Sequence, residues 1–281
     1  MRTDQLSTLL TQFSLSAGVF YNGNLCGIAQ FGDNGDLHGH LHLLRSGKLR
    51  VHLPNGAVRL VEAPSVLCFP RAMRHRFQAD PGEDVELTCA SLQFQGGLDN
   101  PVAQAMPELI VMHVDELAHA APLLAWLCAE AFEPAEGRIA VLNRLFELLI
   151  IQILRHLIHQ GKSESGLLAG LADRRLALAF EAMHRHPESA WTIEAMAAVA
   201  GMSRARFAAH FRATVGVPPL DYLTRWRLTL AQRQLLAGHP MKLIANDVGY
   251  DSPSALARTF RRRLGCSPAG WLGQQRSADV K

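Results

Sequence analysis

Two arginine-bearing stretches near the end of the chain hold the residues best suited to recognising a polyanion. In the first, Arg204, Arg206 and Arg212 are interleaved with Ala205, Ala208 and Ala209; in the second, Ser254, Ala255 and Arg258 precede Arg261, Arg262 and Arg263. An arginine donates two hydrogen bonds to guanine O6 and N7, a serine reaches a base edge or a phosphate, and an alanine meets only a thymine methyl. A second chemistry is offered by His38, His40 and His42, whose alternation puts three imidazoles on one face of one strand, with His75 further along. Five cysteines, Cys26, Cys68, Cys89, Cys128 and Cys266, are an odd number without CxxC or paired zinc spacing. No Ser-His-Asp set, phosphate loop or paired-carboxylate spacing rises above background.

The arginines are carried by elements of legible period. Trp191-Thr192-Ile193-Glu194 opens an apolar-periodic run through Met196, Ala197 and Val199 that breaks at Gly201-Met202-Ser203. Ser203 is expected to cap a helix with Phe207 and Phe211 on its core face. In the same way Met241, Ile244, Ala245 and Val248 lead to Gly249-Tyr250-Asp251-Ser252 and a helix with Leu256 and Phe260 inward. Each segment is a helix, a short glycine-containing turn and a second helix, the helix-turn-helix plan whose second helix enters the major groove. Phe211 and Phe260 are 49 residues apart, and a helix from Leu220 to Leu236, about 26 Å long, links the units. A helical wheel turns Ala205, Ala209 and Arg212 outward, with Arg206 and Ala208 at the margins. It does the same for Ser254, Arg258 and Arg261, with Ala255 and Arg262 beside them. Arg258 is expected to read a base, Arg204, Arg206 and Arg212 to hold phosphates, and Arg263 to belong to a solvated basic face.

Charge divides the 281 residues in the same way. From residue 171 onward 16 Lys and Arg face 8 Asp and Glu, whereas in the first 170 residues 12 face 17. The basic half suits a polyanion and the acidic half does not. The N-terminus has no long apolar core after a basic start, and the apolar run Leu145 to Leu154 is too short to cross a bilayer, so a cytoplasmic protein is expected.

From Gly18 to about Phe94 short apolar runs alternate with turns: Leu25 to Phe31, Leu41 to Arg45, Lys48 to Leu53, Ala57 to Glu62, Val66 to Phe69 and Glu86 to Phe94. Residues 1 to 16 read as a short helix or loop before them. Strands at this spacing predict an antiparallel sandwich or barrel. After Pro101 the period becomes helical, with Leu117 to Phe132 and Ile139 to Gln160 as amphipathic stretches. The second carries Leu142, Leu145, Phe146, Leu149, Ile153 and Leu157, and the added apolar side of Leu148, Ile150 and Ile151 suggests a homodimer seam. The expected domains are 1–160, a linker at 161–172, the helical reader at 173–275 and a tail at 276–281.

The reader resembles the DNA-binding domain of the AraC/XylS family of bacterial transcription regulators. The resemblance rests on Ala197, Gly201, Ser203, Phe211 and Gly216 in the first unit and on Pro219, Tyr222, Arg227, Leu228, Ala231, Leu235 and Leu236 along the link. In the second unit it rests on Ile244, Ala245, Gly249, Tyr250, Ser254, Arg258, Phe260, Gly265 and Pro268; Trp271-Leu272 departs from the usual Tyr-Arg. The N-terminal part is similar to the cupin-like barrel in front of that domain in many members, on Cys26-Gly27, Leu43 to Gly47, Pro70 and His75. The resemblance implies an α+β chain of two domains: a cupin-like antiparallel β-barrel with following helices, then an all-α tandem helix-turn-helix domain. It also implies promoter DNA and RNA polymerase as partners and post-barrel helices that pair in a homodimer. The family's base readers map onto Ala205, Ala208 and Ala209.

Cupin metal sites use two histidines one residue apart, a glutamate soon after and a distant histidine. Here Arg45 and Ser46 stand where the glutamate would be, so no metal or other cofactor and no enzymatic activity are expected, with His40, His42 and His75 as at most a three-histidine site. The layout is also similar to that of a reactive-chlorine-sensing member of the family. That likeness marks Cys26 and Cys89, both expected on strands, as redox candidates; Cys68 and Cys128 are expected in cores. The expected signal is a small organic effector or an oxidant, with no ligand at all as the remaining reading. The alternative readings are a cupin-type metalloenzyme with an incidental helical domain and a nonspecific architectural DNA binder.

Overall fold

A computed structural model describes residues 4–12, 14–32, 38–94, 100–160 and 166–278. The chain forms two compact units, Phe13–Ser163 and Met1–Gln12 with Glu164–Lys281. Helix α1 (Gln5–Gln12) thus belongs to the second unit, not to the barrel whose first strand it precedes. Its Leu9 is fully buried, and the Gln5 side-chain amide donates to the Ala177 carbonyl.

The first unit holds nine strands among the described residues: β1 (Leu15–Leu25), β2 (Ile28–Phe31), β3 (Gly39–Ser46), β4 (Lys48–His52), β5 (Val58–Glu62), β6 (Ser65–Phe69), β7 (His75–Gln78), β8 (Val85–Phe94) and β9 (Ile110–His113). They form two antiparallel sheets, ordered β1-β8-β3-β6-β9 and β2-β7-β4-β5. Both sheets contribute to one core, with Leu44, Leu67 and Phe69 from the first and Leu49, Val51 and Phe77 from the second. Side chains point alternately to the two faces of a strand, so each strand supplies this core from every second residue. The expected run Leu25 to Phe31 is in fact two strands. Gly27 takes a left-handed φ of 83° there, and Cys26 falls in the turn instead of on a strand. Neither β7 nor β9, four residues each, was expected; they are too short for an alternation to stand out, and β9 falls in a stretch of helical period.

Behind the barrel come α2 (Pro101–Ala105), a 3-10 segment (Val114–Ala120), α3 (Ala121–Phe132) and α4 (Arg138–Gln160). The apolar stripe of α4 is buried, and Asn143 Oδ1 accepts the Val19 N–H at 2.9 Å, where β1 bulges. Of the second apolar side, Ile150 is fully buried, Ile151 half-buried and Leu148 exposed.

The second unit is helical: α5 (Leu167–Ala172), α6 (Arg174–Arg185), α7 (Ile193–Val199), α8 (Arg204–Val215), α9 (Pro219–Leu236), α10 (Met241–Asp247), α11 (Pro253–Leu264) and α12 (Pro268–Ala278). Residues 167–172, expected in the linker, form a helix whose Leu167 and Leu168 are buried and which packs on α6 and α8. Of that linker, residues 161–165 lie outside the described residues; α12 runs past the expected end of the reader at 275. Trp271, the departure from the family pattern, is buried with its ring edge-on to Phe260 at 6.0 Å. It closes the core of the second helix-turn-helix unit.

Candidate nucleic-acid interface and histidine cluster

In each helix-turn-helix unit two fully buried side chains fix which face of the second helix looks outward. Phe207 and Phe211 anchor α8, and Leu256 and Phe260 anchor α11; each such side chain contributes roughly 1.5–3 kcal/mol through its burial. Arg204, Ala205, Arg206, Ala209 and Arg212 are left exposed on α8, with Ala208 half-buried. On α11 Ser254, Arg258, Arg261 and Arg262 are exposed and Ala255 is half-buried. The outward faces are therefore those of the helical wheel.

Capping differs between the units. Ser252 Oγ accepts the Ala255 N–H at 3.2 Å, whereas Ser203 holds the equivalent position without a side-chain cap bond. The first unit is capped one helix earlier, where Thr192 accepts the Ala195 N–H at 3.1 Å. Not every arginine is free to reach a phosphate. Arg204 pairs with Glu194 at 2.7 Å across the turn, and Arg263 pairs with Asp221 instead of facing solvent alone.

Sequence reasoning did not single out the bracing between the two units. Arg227 on α9 donates to the carbonyls of Pro187 and Ser189, both at 2.7 Å, and its guanidinium lies 5.9 Å from the Tyr250 ring centroid. Gly249 passes so close that a Cβ would lie 2.6 Å from Arg227 Nη2 and 2.8 Å from the Glu188 carbonyl, and its φ of 76° is left-handed. A second missed contact is His210 on α8, whose Nε2 lies 2.7 Å from Asp173 Oδ2 while Oδ1 of that aspartate caps α6.

The barrel brings together three of the four sequence-marked histidines. His38 is exposed ahead of β3 and so is not on the strand, whereas His40 and His42 are buried on β3 and meet His75 from β7. One nitrogen from each of the three lies within 4.8 Å of the others, and the Nε2 atoms of His42 and His75 are 3.0 Å apart. His75 is held between two rings, stacked on Phe69 at 3.7 Å and on Phe31 at 5.2 Å, with Nδ1 2.8 Å from the Met73 carbonyl. That contact makes Nδ1 the protonated nitrogen and leaves the Nε2 lone pair directed at His42. Burial, and then the neighbouring His75 and His40 imidazoles, hold His42 neutral well below the usual histidine range. Phe20, half exposed, lies edge-on to His40 at 5.7 Å. Among the described residues no carboxylate or thiol joins the group. The donor set fits a nitrogen-preferring transition ion with one position left open, and it lacks the glutamate of the cupin pattern.

The cysteines do not converge. Cys89 is buried, opposite His42 on one side and Tyr21 on the other, and burial pushes its thiol well up; Cys68 shares that fate. Cys26 is exposed and follows Leu25, four positions along β1 from Tyr21, or about 13 Å at the usual strand rise. Disulfides span Cα separations below about 7 Å. Cys128, expected in a core, is half-buried.

Residues 4–159 match the cupin family and residues 196–274 match a helix-turn-helix domain family. A putative AraC-like transcription regulator of Streptomyces antibioticus is 37% identical over 209 residues, covering 72% of this chain and 68% of the relative. The RCS-specific HTH-type transcriptional activator RclR of Escherichia coli is 29% identical over 235 residues, 81% of each chain. Among solved structures, the DNA-binding domain of AdpA in complex with a target DNA is 34% identical, covers 37% of this chain and 95% of that one, and has a TM-score of 0.34. With a relative named as an AraC-like transcription regulator 37% identical over 72% of this chain and 68% of its own length, and with a cupin match followed by a helix-turn-helix match along the sequence, this chain belongs to the AraC family of DNA-binding transcription regulators.

Proposed function

We propose that the regulator reads promoter DNA through α8 and α11 in successive major grooves and that a signal received in the barrel alters this binding. The observation that carries the reading is the pair of outward arginine faces, each fixed by fully buried anchors in a net basic unit. Arg258, with Ser254 beside it, reads a base, and Arg206, Arg212, Arg261 and Arg262 hold phosphates. Ala205, Ala208 and Ala209 give the first unit only apolar contact with bases, so α8 supplies more affinity than discrimination. Helix α9, 18 residues and about 27 Å long, is of a length that suits one turn of DNA between the readers.

The protein acts as a cytoplasmic regulator without enzymatic activity, working with RNA polymerase, and pairs through the exposed side of α4 around Leu148. Among the described residues no helix is long and apolar enough to cross a membrane. The signal is a small effector or an oxidant. If it is an oxidant, the exposed thiol of Cys26 is the group attacked, and Cys89 follows only if the strands move.

Binding to promoter fragments in competition with random duplex tests the reading. Arg258→Ala should cost about 1–3 kcal/mol and relax preference at one base pair, whereas Arg212→Ala should weaken all sequences alike and lower the salt slope by about 1. Uniform loss from both changes overturns the assignment of Arg258, and equal affinity of the parent for all duplexes overturns specific reading altogether.

A further inference from the structure

We infer that a cleft outside the barrel, between the 3-10 segment and the last turns of α4, binds a small organic acid, and that its occupancy alters DNA reading; the second clause rests on the regulatory reading above. The cleft has a volume of about 640 Å³, within the roughly 300–1,000 Å³ of small-molecule sites. Helix α4 lines it with Gln152, Arg155, His156, His159 and Gln160. The 3-10 segment, which packs on α4, contributes exposed His119 together with buried Leu117 and Ala120.

The sequence of α4 changes character where the cleft opens. Leu145, Leu149, Gln152, His156 and His159 follow one another at spacings of four, three, four and three, so they share one face of the helix. Leu145 and Leu149 are buried, and from Gln152 onward the same face carries hydrogen-bonding side chains, while the stripe beside it continues with buried Ile153 and Leu157. A face that served packing alone would extend the leucines. The negative end of the helix dipole favours a basic side chain in the last turn. That accounts for His159, but not for Gln152 about two turns earlier or for His119 on the opposite element.

The lining is suited to a carboxylate. Arg144 on the same helix is paired with Glu147 at 2.8 Å, whereas Arg155 is exposed and has no ion pair among the described residues. A guanidinium takes a carboxylate through two parallel N–H bonds, and imidazole and side-chain amide N–H groups add further donors. Glu116 also lines the cleft, but its Oε1 accepts the His113 N–H at 3.0 Å. Leu117 and Ala120 offer an apolar floor for the body of the acid. The imidazoles here are not a metal set, because among the described residues only His40, His42 and His75 bring three ligand atoms together. His159 and Gln160 end α4, and α5 of the reader begins at Leu167, so a ligand that holds this last turn acts where the chain leaves for the reader.

The test uses the full chain and a set of aryl carboxylates, from 3-phenylpropanoate to 2-naphthoate, each beside the alcohol of the same skeleton. Binding at millimolar concentration is followed by calorimetry and by the imidazole NMR signals of His119, His156 and His159, assigned with single glutamine variants. At least one acid should shift all three and leave His38 unmoved, and its alcohol should bind roughly 10-fold or more weakly. Arg155→Gln, a change at an exposed position that the fold tolerates, should weaken the acid by a similar factor, and Arg155→Lys by less, since lysine keeps the charge but not the fork. Acids that leave the three signals unmoved, equal affinity for acid and alcohol, or unaltered affinity in Arg155→Gln overturns the site. Promoter binding is measured on parent and Arg155→Gln with and without the acid. A response in the parent that the variant lacks supports the regulatory clause, and binding that leaves promoter affinity unchanged overturns it. Absence of sequence-specific binding in the parent, whatever the acid does, refutes the regulatory reading and leaves the binding result standing by itself.

Discussion

At the scale of single residues, environment decides which of two identical side chains can act. Cys26 and Cys89 have the same chemistry, but Cys26 is exposed in a turn and Cys89 is sealed in the barrel core with its thiol pushed up by burial. Thiolate availability and access set the rate of alkylation and oxidation. In the native protein Cys26 should react with iodoacetamide at least about 100-fold faster than Cys89, and the gap should close in denaturant; peptide mapping of a time course measures both rates. Comparable native rates would mean that the barrel opens far more readily than its packing implies. The arginines divide in a similar way. Arg204 and Arg263 carry the charge expected of DNA contacts, yet each is paired with an acid inside the unit, while Arg206 and Arg258 are exposed without an ion pair among the described contacts.

At the scale of elements, the helix-turn-helix units depend on one crowded crossing. Gly249 ends α10 with a left-handed backbone and lies against Arg227, which in turn holds the loop ahead of α7. An alanine there meets both a conformational cost of about 1–3 kcal/mol and a backbone carbonyl 2.8 Å away that cannot swing aside. Gly249→Ala should therefore lower stability by about 2 kcal/mol or more and weaken promoter binding, although residue 249 is on neither recognition helix; thermal melts and band-shift titrations report the two effects. These helices were legible in the sequence because their apolar residues recur at three and four positions over a dozen residues, with glycine at each turn. The barrel was legible in outline, through its turn residues. Its three histidines, His40, His42 and His75, were legible as a candidate set from their spacing, but their contact was not, because what places His75 against His42 is the pairing of β7 between β2 and β4, a long-range fact carried by a four-residue strand. The missing glutamate pointed away from a metal site, and only the register and the stacking of Phe31 and Phe69 bring the rings into one group.

At the scale of the whole molecule, each unit has its own core and its own response to conditions. In the reader, His184 is stacked on Trp226 at 3.7 Å and lies 2.7 Å from the Tyr222 hydroxyl, and burial pulls its pKa down to about 3. An unfolded histidine titrates near 6.5, so below that pH the unfolded chain takes up a proton that the folded unit refuses. Stability is unaffected by this group above about pH 6.5 and falls progressively as pH drops toward 3. At roughly 1.4 kcal/mol per unit the loss is on the order of 5 kcal/mol. Melting temperatures of the reader between pH 7 and pH 4 should show this slope, and His184→Gln should flatten it even if its neutral-pH stability is lower.

The division of the chain leads to a prediction that runs against sequence order. Helix α1 precedes the first barrel strand, yet Leu9 is fully buried within the reader's unit, and α1 packs on α6. The reader's hydrophobic core therefore includes residues separated from the rest of it by the entire barrel. Replacing a buried leucine by alanine leaves a cavity and costs about 2–5 kcal/mol, depending on how far the surroundings close in. Leu9→Ala should lower the stability of the helical unit by that order while leaving the barrel unchanged. Hydrogen exchange resolved by peptide separates the two: amides of α6 and α5 should exchange faster in the variant, and those of β3, β6 and β8 at the parent's rate. Faster exchange confined to the barrel strands would show that Leu9 serves the sensor's core, and that α1 had been assigned to the wrong unit.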